Sequence, residues 1–127
     1  MQDLVVEQII GLHTTIIARD GGDNRLLSEG NLHQLVFRAN LITESVPRAA
    51  FAFYSLVAYP AFREGNETIA WDLAAGILAE GGYCIDQADE MQISHLAKGI
   101  LSFTTELEDV DAWLTTHARN QKETRLL

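Results

Sequence analysis

Ala49-Ala50-Phe51-Ala52-Phe53-Tyr54-Ser55-Leu56-Val57-Ala58 is apolar at nearly every position. A helix apolar on all sides belongs in the centre of a fold, so this run predicts the core helix of a bundle. Pro47 sits just ahead of it, in a first turn where proline's missing N–H costs nothing, and Pro60 stops it. Arg63-Glu64-Gly65-Asn66 is then a polar connection before Ile69, Leu73, Ala74, Ile77 and Leu78 restart the helical period. Asn66 is the expected N-cap of this next helix and Gly81-Gly82 its expected C-cap.

Toward the N-terminus, Leu4, Val5, Val6, Ile9, Ile10, Leu12, Ile16 and Ile17 fall at helical spacing until Asp20-Gly21-Gly22 ends the run. Residues 21–27 form a polar turn or flap with too few alternating residues for a strand pair, and a shorter helix follows through Leu32, Leu35 and Val36. Toward the C-terminus, Asp86 or Asp89 opens a fifth helix striped by Ile93, Leu96, Ala97, Ile100 and Leu101. Thr105-Glu106-Leu107-Glu108 reads as a capping box before a sixth helix carrying Val110, Trp113 and Leu114. Residues 118–127 turn polar and basic and are expected to fray. The expectation is an all-α, compact bundle of about six helices, one domain over residues 1–127 with its core at about 4–117.

The composition suits that size: 127 residues, 47% hydrophobic and 21% charged. Nine Lys plus Arg against eighteen Asp plus Glu give 9 − 18 = −9. Such a field repels nucleic acid and anionic membranes and favours a basic partner segment. Cys84 is the single cysteine, in the apolar run Tyr83-Cys84-Ile85, so no intramolecular disulfide or clustered thiolate site forms and a packing role is expected. The absence of a basic leader or an apolar run of about 18 residues gives a cytoplasmic location by default.

His13, His33, His95 and His117 fall at no ligand spacing with one another, and each is read as a surface or hydrogen-bonded structural residue. Glu106, Glu108, Asp109 and Asp111 cluster where they favour a helix dipole, which accounts for them. The informative segment is residues 60–68. Gly65 permits close backbone approach, and the helix starting at Asn66 directs free N–H groups back into the loop, an arrangement that attracts phosphate.

The ungapped stretch from Arg48 to Ala70 resembles the core segment of the Fic/Doc (Fido) superfamily, nearest its death-on-curing, Doc-like toxins. That family's loop runs His-Pro-Phe-x-Asp-Gly-Asn-Lys-Arg-Thr-Ala, and Phe62, Glu64, Gly65, Asn66 and Ala70 stand in matching places. Leu12-His13 with Gly21-Gly22 resembles the branch's first helix and turn, Gly81-Gly82-Tyr83 its Asn-Gly-Tyr, and Asp111-Ala112-Trp113-Leu114 its last helix.

The resemblance implies transfer of a phosphate or nucleotidyl group from a nucleotide to a protein hydroxyl, with ATP and Mg as cofactors. It places nucleotide or phosphate binding at Phe62, Gly65 and Asn66 and a divalent cation on Glu64, with Arg63, one residue from the lost cations, as a substitute phosphate clamp. The departures fall on the chemistry: Pro60 stands at the family's histidine, Glu67 at its lysine or glycine and Thr68 at its arginine. Loss of a positioned base costs about 10²- to 10⁴-fold in rate. Replacing cations by a carboxylate opposes phosphate binding and transfer together.

Three functions compete on the sequence: a Doc-like protein impaired in catalysis, an active transferase with base and clamp moved to Tyr59 and Arg63, and a non-enzymatic helical interaction module. The resemblance also implies an antitoxin partner, for which the charge suggests a basic or amphipathic segment.

Overall fold

The computed structural model describes residues 2–121. Its helices are α1 (Val6–Asp20), α2 (Glu29–Asn40), α3 (Ser45–Ala58), α4 (Asn66–Glu80), α5 (Gln87–Glu90), α6 (Ile93–Leu101) and α7 (Leu107–His117). Two short strands, β1 (Tyr83–Cys84) and β2 (Arg119–Asn120), complete it. Among the described residues the fold is all-α, with α5 a single turn of four residues.

The apolar run becomes α3, buried along most of its length and packed against α2, α4, α6 and α7. Its most extensive partner is α4. Small residues make that approach possible, because Ala49, Ala50 and Ala52 on α3 and Ala70 and Ala74 on α4 have no exposed surface and little bulk. Phe53 fills the space between the helices with its ring edge-on to Trp71, centroids 6.5 Å apart. Pro47 is the third residue of α3, where its N–H would have had no partner within the helix.

The buried Arg48 is satisfied by carbonyls alone. Its guanidinium donates to Ile42 O at 2.9 Å, Gln2 O at 2.9 Å and Asn40 O at 3.4 Å, gathering the N-terminal segment and the C-terminal end of α2, where the helix dipole is negative. Asn40 clips the same segment from its side chain, accepting from Leu4 N at 2.8 Å and donating to Leu4 O at 3.0 Å.

The structure departs from the sequence reading in three places. The fifth helix is broken at Met91 and Gln92 into α5 and α6, with Trp113 Nε1 donating to Gln92 Oε1 at 3.0 Å across the break. The capping box lies one residue later than expected, between Glu106 and Asp109. Thr105 is not available for it, because its backbone N–H bonds Gly99 O and its side chain packs so tightly on Gly99 that a Cβ there would collide with it. Of the tail expected to fray, the described residues 119–121 are paired: Tyr83 lies opposite Asn120 and Cys84 opposite Arg119, and Gln121 N donates to Gly82 O at 2.8 Å. Residues 122–127 lie outside the described residues. Among the described residues no helix is long and apolar enough to cross a membrane.

Candidate functional site

Residues 59–65 connect α3 to α4, the two most closely packed helices, so both ends of the loop are anchored. The flap of residues 21–28 lies alongside it. Leu27 N and Ser28 N donate to Ala61 O at 2.6 and 3.0 Å, and Arg63 N donates to Arg25 O at 3.1 Å. A single antiparallel bridge joins Leu26 to Phe62. The Asn31 amide donates to Tyr59 O at 3.3 Å and Pro60 O at 3.1 Å, so α2 holds the loop from its other side.

Phe62 is the anchor, 2% exposed, with its ring stacked on His13 at a centroid distance of 3.7 Å. Its ring therefore belongs to the core, and its contribution to a ligand site would come through the backbone it positions. Asn66 clips that backbone as Asn40 clips Leu4: Oδ1 accepts from Phe62 N at 3.1 Å and Nδ2 donates to Phe62 O at 2.7 Å. This use of the side chain corrects one expectation. Gly65, at φ 81°, is the N-cap of α4, and Asn66 is the first helical residue.

His13 is a hydrogen-bonded structural residue, one of the two roles its sequence context allowed, with a partner that the sequence does not name. It is 1% exposed, and its Nε2 lies 2.7 Å from Glu64 O, so α1 fixes the loop directly. The signal was present in its spacing, because His13 continues the buried stripe Val6, Ile9, Ile16 of α1. What spacing could not supply was the partner.

Glu64 Oε2 accepts the Asp23 backbone N–H at 2.6 Å, tying the flap to the loop. Asp23 in turn pairs with Arg25 at 2.7 Å and lies 3.7 Å from Arg63 Nε. Bonding to Arg25, through its side chain first and its backbone second, lowers the Asp23 carboxyl to about 2. Arg63 itself is exposed. The Glu67 carboxylate accepts from Ser94 Oγ of α6 at 3.1 Å.

Among the described residues no hydrogen-bond acceptor meets the backbone N–H groups of Asn66, Glu67 and Thr68. They open a helix of 15 residues, so unpaired donors and the positive end of the dipole coincide. Arg63, Glu64 and Glu67 around them are exposed, and Gly65, Asn66 and Thr68 are half-buried. A cavity of about 480 Å³ between α2 and α3 is lined by Tyr59 but not by residues 60–68.

Magnesium needs only one or two carboxylates when phosphate oxygens supply further ligands. Glu64 fits that limited role, since Oε1 has no partner among the described residues. A cage made wholly by the protein does not occur among them: no three His, Cys, Asp or Glu side chains converge for a metal. In comparison with known proteins, no family model matches the chain and no characterised relative shows significant similarity.

Proposed function

We propose that this protein is a Doc-like member of the Fic/Doc superfamily that binds a phosphate-bearing ligand, ATP with Mg in the first instance, and is impaired in transferring a group from it. The observation that carries the reading is the coincidence, at one rigidly held turn, of three unpaired N–H groups at Asn66, Glu67 and Thr68 with Glu64 immediately before them. Pro60 supplies no titratable group where the resemblance requires a base, and Thr68 supplies no cation where it requires an arginine.

The chain's own residues then divide the work. Gly65 and the first turn of α4 would receive phosphate oxygens, Glu64 would hold the magnesium, and Arg63 would screen the ligand's charge from the rim. The Asn66 side chain, Phe62 and His13 would shape the backbone, leaving the Asn66 N–H to face the ligand. Titration calorimetry with ATP and magnesium, followed by incubation with labelled nucleotide and candidate target proteins, tests both halves. Binding without transfer supports the proposal; robust labelling by the unmodified protein overturns it.

An active transferase using Tyr59 and Arg63 is the second reading, favoured by one observation: both side chains are exposed within the loop of residues 59–65. Growth arrest on expression, abolished by Arg63→Ala, would select it over the first.

A further inference from the structure

The cavity between α2 and α3, about 480 Å³ in volume, falls within the roughly 300–1,000 Å³ typical of small-molecule sites. Its walls are aromatic: Phe51 and Tyr54 on α3, and Tyr59 at that helix's end. Its polar groups come chiefly from α2, as Asn31, Gln34 and Arg38.

The charges lining this cavity point to an anionic ligand. The chain carries a formal charge of −9, yet no Asp or Glu lines the cavity. Arg19, Arg25, Arg63 and Arg119 are each paired with a carboxylate, and Arg48 is spent on buried carbonyls. Arg38 has no carboxylate partner among the described residues, and it stands at this cavity. A guanidinium is a planar fork of donors suited to a carboxylate, and it is weakly hydrated enough to work at an aromatic rim.

The geometry points to a small aromatic carboxylate as the ligand of this cavity, its ring against Phe51, Tyr54 and Tyr59 and its carboxylate on Arg38. A cation would meet the guanidinium unfavourably. A bare inorganic anion would leave the aromatic walls unused. Asn31 already donates its amide hydrogens to Tyr59 O and Pro60 O, so its Oδ1 is left to accept from a ring substituent. The site is separate from the α4 start, because none of residues 60–68 lines it. It stands or falls independently of nucleotide binding.

The test uses the full ¹⁵N-labelled chain titrated with 2-naphthoate and with its neutral counterpart 2-naphthamide, followed by amide chemical shifts. The expected result is shifts on α2 and α3 around Arg38 and Tyr54, with naphthoate bound at least ~10-fold more tightly than the amide, the usual effect of one charge-assisted pair. Arg38→Ala removes that preference and Arg38→Lys keeps part of it; Arg38 is exposed, so neither change disturbs the core. Equal affinity for the two compounds, an unchanged naphthoate affinity in Arg38→Ala, or no shift up to the solubility limit overturns the assignment.

Discussion

His13 Nε2 lies 2.7 Å from the carbonyl oxygen of Glu64, 51 positions away, while the same imidazole stacks on Phe62 with an interplanar angle of 8°. A carbonyl only accepts, so Nε2 carries the hydrogen. One side chain of α1 thus fixes both the ring that roots the loop and the peptide that turns it into α4. His13→Ala removes the stack and the bond from a site 1% exposed, and a loss of roughly 2–4 kcal/mol is expected by urea unfolding. His13→Phe keeps a ring and loses only the hydrogen bond, so it should fall between the two. Equal stability of His13→Ala and the parent would contradict the structural role.

Gly65 and Gly22 make a second prediction, because each combines positive φ with close neighbours. At Gly65, φ 81°, a Cβ would stand 3.4 Å from both His13 Nε2 and Ile17 Cδ1. At Gly22, φ 118°, it would stand 2.6 Å from Glu64 Oε2. Gly65→Ala should cost about 1–3 kcal/mol in backbone strain. Gly22→Ala should carry backbone strain as well and, in addition, displace the Glu64 carboxylate and free the Asp23 N–H it accepts. Faster hydrogen exchange at Asp23 in Gly22→Ala, but not in Gly65→Ala, is the expected pattern.

Much of this arrangement was legible in the sequence and some of it was not, for a physical reason. The placement of α3 and α4 follows from local pattern, as do Pro47, the break at Pro60 and the glycines after Glu80. What escaped reading depends on partners distant in sequence. The Tyr83–Cys84 ladder with Arg119–Asn120 is one case, and the His13 contact with Glu64 is another. Asn66 shows a competition local pattern could not resolve: its side chain suits an N-cap, but Gly65 in the left-handed region takes the cap and releases Asn66 to clip Phe62. The cavity at Arg38 needs the fold itself, since its residues come from both ends of α2, from α3 and from the start of α7.

The Asp23 carboxyl gives a prediction in pH. Its ordinary value of 3.8 is lowered to about 2 in the folded chain, chiefly by hydrogen bonding to Arg25. A lowered folded value means that the flap contact is fully present above pH 3.8 and is lost as pH falls through about 2. Carbon-detected NMR titration of Asp23 should show a midpoint near 2, and Arg25→Ala should return it toward 3.8. A midpoint unchanged by Arg25→Ala would remove the assigned cause.

The fourth prediction follows from the proposed Doc-like reading. Pro60→His would place a base in the loop, and Glu67→Lys with Thr68→Arg would place cations in the first turn of α4. The three changes together should raise labelled-nucleotide transfer over the parent by at least ~10²-fold, the contribution of a positioned base. Pro60→His alone should gain little, since transfer also needs positive charge around the phosphates. No gain from the combined variant, with binding intact, would show that the loop is not arranged for transfer.

The most direct measurement is the response of the backbone amides of Gly65, Asn66, Glu67 and Thr68 to ATP and magnesium in the unmodified chain. Saturable shifts at these amides, reproduced by inorganic triphosphate and diminished in Glu64→Gln when magnesium is present, are the expected result. Binding detected elsewhere while these four amides stay unchanged, or no response from any amide at millimolar nucleotide, would contradict a phosphate cradle at the start of α4.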